Sequence, residues 1–170
     1  SVLNHKEACA LAVENNINVT LHADWEVPEG IKEVVLDSKA KRVGHGSQII
    51  NDVSFENGVI GFNNDASKYV FDNRVALEIC PTSNVQCGAY SSVSEHSFGE
   101  LYNAGFNVTI NTDNRLMSDI TMSEEVSNVV ESFGLGEKDI LNITKNTIDA
   151  WFVESKLIYE LLEKLSKFSI

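Results

Sequence analysis

The chain of 170 residues lacks several features that would assign it to a broad class at once. It has no apolar run approaching the roughly 20 residues that a membrane-spanning helix needs. Residues 1–7 have neither the basic flank nor the apolar core of a secretion signal. No linker, low-complexity tract or block of like charge divides the sequence. We therefore expect a single cytoplasmic unit that covers residues 1–170.

Paired cysteines and an excess of positive charge are also missing. The three cysteines are odd in number and never stand at CxxC spacing, which favours reduced thiols in a cytoplasmic protein. A net charge of -12 repels nucleic-acid phosphates and anionic membranes alike. We therefore expect neither nucleic acid nor membrane as a partner.

The sequence does contain a regular alternation of strand-like and helix-like segments. The predicted strands are residues 18–23, 42–44, 75–80 and 107–112. The predicted helices are residues 5–16, a segment ending at 38, 65–72 and 94–103, with three more that begin at 123, 137 and 154. This order predicts an α/β fold whose parallel strands are joined by right-handed crossovers.

The number and spacing of the strands limit the architecture. Four strands are too few to close a (β/α)8 barrel. A free-standing doubly wound sheet is an alternative, although no glycine-rich phosphate loop follows the first strand. A repeat of about 23 to 33 residues per strand and helix is more typical of half a barrel.

Polar side chains stand at the ends of three predicted strands, where parallel α/β folds place metals and substrates. They are His22, His45 and Asp113, and His45 lies between Gly44 and Gly46. A single histidine in an apolar strand is more often a structural group than a ligand. Imidazole and carboxylate together suit Zn²⁺, so the three residues predict metal-assisted hydrolysis.

Three further polar residues narrow the chemistry. Asn114 offers an amide NH₂ that suits an acceptor such as a purine N7, and an Asx turn explains it equally well. Asp24 and Glu26 follow His22, where a buried carboxylic acid could donate a proton to a ring nitrogen. Their structural alternative is favourable charge near the start of the next helix.

Five blocks of the sequence together resemble the adenosine deaminase family, which consists of zinc-dependent (β/α)8 barrel enzymes of the amidohydrolase superfamily. The blocks occur in family order at near-family separations: residues 21–23, 42–46, 77–88, 96–101 and 111–118. The resemblance implies the C-terminal half of a TIM-type barrel, strands five to eight with their helices. It also implies hydrolytic deamination of adenosine to inosine and ammonia in purine salvage.

The resemblance further implies a role for each polar residue. His22 and Asp113 would be zinc ligands, and Asp113 would also contact the metal-bound water. His45 would orient the hydroxide that attacks C6 of adenine. Asn114 stands where the family usually carries a second aspartate that contacts N7, and an amide donates there at any pH.

The chain departs from the family pattern in two places. The family motif His-Ala-Gly-Glu is replaced by His22-Ala23-Asp24-Trp25-Glu26, so either Glu26 or Asp24 takes the place of the general acid at N1. The family's remaining zinc ligands form a His-x-His pair that has no counterpart among the four histidines. Because zinc sites normally use at least three protein ligands, the zinc site is incomplete in this chain.

These departures leave alternatives open. One is a catalytically inactive half-barrel fragment or assembly module, and another is a deaminase of a different 6-aminopurine such as adenine. Open edges at residues 18–23 and 107–112 predict self-association or pairing with a missing N-terminal half. A cytidine-type deaminase is set aside because the chain has no Pro-Cys-x-x-Cys signature.

Overall fold

A computed structural model describes residues 2–23, 29–56 and 59–168 of the chain. The strands are β1 Thr20–Ala23, β2 Arg42–His45, β3 Val53–Glu56, β4 Val59–Phe62, β5 Ala76–Ile79 and β6 Val108–Ile110. The helices are α1 Lys6–Glu14, α2 Gly30–Lys32, α3 Asp65–Asp72, α4 Pro81–Gln86, α5 Phe98–Asn103, α6 Arg115–Ser118, α7 Met122–Phe133, α8 Glu137–Asp149 and α9 Ser155–Ser166. A π-helical stretch, Glu33–Asp37, continues α2.

The chain divides into two compact units. The first consists of Ser1–Ile79 and Ser97–Asn107, and the second of Cys80–His96 and Val108–Ile170. The single unit expected over residues 1–170 stays a prediction. Within the described residues, no helix combines the length and the apolar character needed to cross a membrane.

Parallel pairing joins β1, β2 and β5 of the first unit, as the alternating pattern predicts. Strand β2 lies between β1 and β5, with Thr20 opposite Arg42 and Arg42 opposite Ala76. This register places His22 opposite Gly44, near the carboxyl ends of two adjacent strands. The two predicted polar strand ends of this unit therefore belong to one sheet edge.

Complete burial of apolar side chains holds these strands in place. Val43 on β2 and Leu77 on β5 have no exposed surface. Val34 and Val35, on the predicted buried stripe of the helix after β1, are likewise fully buried. Burying one such side chain stabilises the fold by about 1.5–3 kcal/mol, so this layer fixes where the strand ends lie.

The two glycines that flank His45 allow unusually close packing. A Cβ on Gly44 would lie 3.3 Å from the Cα atom of His22. Gly46 has a left-handed φ of +68°, and a Cβ there would lie 2.9 Å from a methyl carbon of Leu77 and 3.0 Å from one of Val43. The glycines are therefore required by the backbone and by the core, as close approach at this site predicts.

Replacing Gly46 by alanine is expected to destabilise the first unit by about 2–4 kcal/mol, because left-handed strain adds to overpacking. Gly105→Ala is the matched control in the same unit. Its φ is +91°, but a Cβ there would meet only Phe71, at 3.8 Å, which is ordinary contact. Equilibrium urea unfolding should show the larger loss for Gly46→Ala, and equal losses in the two variants would contradict the packing account.

The second unit is built mainly from helices with strong end signals. The hydroxyl of Thr121 accepts from the Glu124 backbone N–H, while the Glu124 carboxylate accepts from the Thr121 backbone N–H at 2.8 Å. The Thr121 hydroxyl also donates to the Glu124 carboxylate at 2.7 Å, and this bond, followed by the one from the Thr121 backbone N–H, lowers the pKa of Glu124. Helix α7 ends at Gly134, whose φ of +62° suits a left-handed C-cap.

The structure differs from the sequence predictions in the connecting segments. The antiparallel β3–β4 hairpin, with Val53 opposite Phe62, was not predicted. Helix α4 was also missed and lies in a segment whose composition predicts a polar loop. The single helix predicted over 94–103 is wrong, because the backbone becomes extended at His96 before α5 begins at Phe98. His96 is buried there and bonds Asn84, which accounts for the break.

Candidate active site

The first unit brings two predicted site residues together. The rings of His22 and His45 lie with their centroids 4.6 Å apart and their planes tilted by 47°. His22 is exposed, whereas His45 is only 7% exposed. Two imidazoles of different accessibility, at the ends of adjacent parallel strands, form the nucleus of the candidate site.

An unusual backbone conformation directs the His45 ring toward His22. In the parallel register Ala23 lies opposite His45, so a regular strand would turn the His45 side chain away from the face that carries His22. His45 instead has a left-handed φ of 58°, which is rare for a residue with a side chain. Such conformations cost about 1–3 kcal/mol and concentrate at functional sites.

Polar side chains of the same sheet contact one another beside this pair, with Thr20 and Arg42 at the amino ends of β1 and β2. Glu78 accepts a hydrogen bond from the Thr20 hydroxyl at 2.6 Å and forms an ion pair with Arg42 at 3.1 Å. One carboxylate therefore joins side chains from β1, β2 and β5. This contact ties together the strands that position the histidines.

In the second unit, Asp113 has the left-handed conformation seen at His45, with a φ of 56°. Its side chain is exposed, and its Oδ2 atom accepts a hydrogen bond of 2.7 Å from the Ser83 hydroxyl. Ser83 itself is 7% exposed. The carboxylate that ends strand β6 is therefore held by a buried group on α4.

Asn114 makes local hydrogen bonds through its side-chain oxygen, as the turn interpretation predicts, and its amide NH₂ group is still available for the predicted donor role. Its side-chain oxygen accepts hydrogen bonds of 3.2 Å from the backbone N–H groups of Leu116 and Met117, so it is the N-cap of α6. This use of the oxygen fixes the orientation of the amide plane. The NH₂ group is therefore presented as a donor in a constant direction.

Sequence reasoning missed the groups that hold α4. Glu125 has no exposed surface and accepts from the Thr82 backbone N–H at 2.9 Å, while Gln86 donates to the Ser118 carbonyl at 3.0 Å. Asn84 lies 3.1 Å from the ring nitrogen of His96. Buried polar groups of this kind carry no periodic signal in the sequence, because their partners are distant along the chain.

The chemical types of the candidate ligands suit a metal, but the described residues do not supply enough of them. Imidazole and carboxylate suit Zn²⁺, yet among residues 2–23, 29–56 and 59–168 no three His, Cys, Asp or Glu side chains are grouped to hold a metal ion. Asp24 and Glu26, the two candidates for the general acid, lie outside the described residues. The described part of the chain thus supplies no complete metal centre.

Comparison with solved structures defines the class of fold. An adenine deaminase from Arthrobacter aurescens superposes with a TM-score of 0.84 at 21% identity, over 96% of this chain and 47% of that one. A Burkholderia ambifaria amidohydrolase with bound Zn superposes with a TM-score of 0.78 at 18% identity, over 95% of this chain and 43% of that one. The fold is accordingly an α/β half of a TIM-type barrel, as predicted.

The family follows from the sequence comparisons. The adenosine deaminase family model matches residues 1–168, and the chain belongs to that family of hydrolases. It is 37% identical over 170 residues to the adenosine deaminase of Mycobacterium ulcerans, a match that covers 96% of this chain and 45% of that protein. The chain therefore spans about half the length of the relative it matches.

Proposed function

We propose that this chain contributes the C-terminal part of the active site of a zinc-dependent deaminase that converts adenosine to inosine and ammonia. The observation that carries the proposal is the His22–His45 ring pair at the ends of adjacent parallel strands, 4.6 Å apart, in a chain of the adenosine deaminase family. Adenosine, zinc and a role in purine salvage follow from the family resemblance.

Each described residue has a task in this proposal. The family resemblance implies that His22 and Asp113 would hold the metal, which would supply an activated water at neutral pH. His45, buried and held by its backbone, orients the attacking water and stabilises charge that develops at C6 of the purine. Its rigid placement favours the role because oriented groups need no reorganisation during the reaction.

Asn114 recognises the purine. With its oxygen engaged by the N-terminus of α6, its NH₂ group donates to the acceptor N7. An amide donates without first taking up a proton, so this contact is independent of pH where an aspartate would not be. The proton for N1 comes from Glu26 or, failing that, Asp24.

The complete site requires the barrel segment that this chain does not span. Within the first unit's described strands, β1 pairs with β2 alone and exposes its other edge. Leu11 and Ile17, which precede β1, are each 61% exposed. An open strand edge beside exposed apolar side chains favours pairing with the rest of the barrel, or self-association in its absence.

The test compares the chain alone with the chain co-expressed with the N-terminal part of the M. ulcerans relative, here called the assembled enzyme. We expect stoichiometric zinc and adenosine turnover only in the assembled enzyme, measured by metal analysis and by the ultraviolet change as inosine forms. On size-exclusion chromatography the chain alone should associate with itself.

Other results would overturn parts of the proposal. Zinc and turnover in the chain alone would show that the incomplete-site argument is wrong, and a clean monomer at high concentration would contradict the open edge. A zinc-loaded assembled enzyme that deaminates adenine but not adenosine would identify the alternative substrate. Zinc without turnover of any 6-aminopurine would favour the inactive assembly module.

A further inference from the structure

A groove in the first unit lies between the β3–β4 hairpin and α5, and it contains none of the residues of the candidate active site. Its volume is about 410 Å³, within the range of roughly 300–1,000 Å³ that is typical of small-molecule sites. The lining residues are Phe55, Ile60, Glu100, Asn103 and Ala104. The groove is therefore large enough for a small organic molecule.

The two walls of the groove follow from regular geometry. Phe55 lies directly opposite Ile60 in the antiparallel register, so both side chains belong to one face of the hairpin. Glu100, Asn103 and Ala104 stand three and four positions apart on α5 and its C-cap, which places them on one face of the helix. The hairpin thus supplies an apolar wall, and α5 supplies a carboxylate and an amide.

Aromatic packing holds the hairpin in place. The centroid of the Phe62 ring, at the end of β4, lies 5.3 Å from that of Phe71 on α3, and Phe71 lies 5.2 Å from Phe106, which follows α5. Val53, opposite Phe62, is only 9% exposed. Because these contacts connect the hairpin with the segment after α5, the groove is formed before any ligand binds.

The aromatic ring and the carboxylate of the groove are both left unpaired by the described residues. Phe55 is 51% exposed, and within that part of the chain no other aromatic ring contacts it. The Glu100 carboxylate is exposed and has no hydrogen bond or ion pair there either. Lys68, whose Nζ lies 5.6 Å from the Phe62 ring centroid, pairs instead with Asp72. An aromatic face and an uncompensated negative charge therefore border the same space.

We propose that this groove binds a small organic cation with an aromatic body, of the arylalkylammonium class. The ligand's ring packs against Phe55, Ile60 and Ala104. Its ammonium group donates to the Glu100 carboxylate and to the Asn103 amide oxygen. The protein's net charge of -12 also favours a cation over an anion. The inference does not depend on the proposed function, because the groove shares no residue with the candidate active site.

The test titrates phenethylammonium into the whole chain, labelled at the isoleucine δ1 methyl groups for NMR. We expect a saturable shift of the Ile60 methyl resonance, with half-saturation at about 1 mM or below. The methyl of Ile17, exposed before β1 in the same unit, should not shift. Ile60→Val identifies the Ile60 resonance by its disappearance. Phenethyl alcohol and hydrocinnamate, which are neutral and anionic compounds of similar size, should bind at least about 5-fold more weakly.

Four substitutions separate the contribution of the charge from that of the ring. Glu100→Gln keeps the size of the side chain and should weaken phenethylammonium binding about 5–10-fold. Glu14→Gln, exposed on α1, makes the same change in net charge and should leave binding unchanged. Phe55→Leu should weaken binding about 3–10-fold, whereas Phe55→Tyr, which keeps the ring, should not. All three positions are exposed, so the fold should be retained.

Several results would overturn the proposal. They are the absence of a saturable Ile60 shift, equal binding of the three compounds, and equal losses in Glu100→Gln and Glu14→Gln. Unchanged binding in Phe55→Leu would remove the aromatic contact. An Ile60 shift that follows chain concentration without ligand would assign the groove to an interface between copies. Zinc and turnover in the assembled enzyme are measured separately, so failure of the groove and failure of the deaminase proposal are distinguishable.

Discussion

Replacing His45 by alanine is expected to lower kcat for adenosine in the assembled enzyme by about 10²–10⁴-fold, the usual contribution of a positioned imidazole. The His45 ring is buried, and its centroid lies 4.6 Å from that of His22. In the proposed mechanism, His45 is the described side chain of the first unit that orients the attacking water, so its loss should not be compensated. Steady-state kinetics with adenosine would measure the loss.

His45→Gly distinguishes the loss of the imidazole from the relief of backbone strain at position 45. Its activity should be as low as that of His45→Ala, but it should be more stable by about 1 kcal/mol, because glycine adopts the left-handed φ of 58° without strain. Lys39, exposed and also at φ 58°, is the matched position in the same unit. Lys39→Gly should exceed Lys39→Ala in stability by a similar amount, and both should keep full activity.

Two results would refute this account. Activity of His45→Ala within twofold of the unmodified enzyme would remove His45 from the mechanism. Equal stability of the glycine and alanine variants at position 45, alongside a difference at position 39, would mean that the strained conformation at the site carries no cost.

Replacing Glu125 by alanine is expected to destabilise the second unit by about 2–4 kcal/mol, because a buried hydrogen bond is lost and a cavity is left. Glu125 is fully buried, and its Oε1 atom accepts from the backbone N–H of Thr82. Its Oε2 atom has no hydrogen-bond partner among the described residues. Chemical denaturation of the chain would measure the change.

The neighbouring Glu124 provides the control. It lies on the same turn of α7 and is exposed, so Glu124→Ala removes a capping interaction but no buried group. Glu125→Gln should lie close to the unmodified protein in stability, because its amide oxygen still accepts from Thr82 and the side chain keeps its size. If Glu125→Ala cost no more than Glu124→Ala, the anchoring of α4 by Glu125 would be wrong.

The regular elements could be predicted because their signals are local. Strand β5 follows from a short apolar run around Leu77, and the polar ends His22, His45 and Asp113 follow from where such runs stop. The β3–β4 hairpin and α4 were not predictable in the same way. They depend on packing and on partners such as Glu125, which lies 43 residues beyond Thr82.

The family, the half-barrel fold and the residue types of the candidate site could be predicted from the sequence alone, because periodicity and motif spacing are local properties of the chain. How those residues are held depends on tertiary packing. The His45 ring lies beside His22 through a left-handed backbone, and Ser83 donates to Asp113 from 30 residues earlier in the chain. These arrangements arise from contacts between distant segments, and no local pattern encodes them.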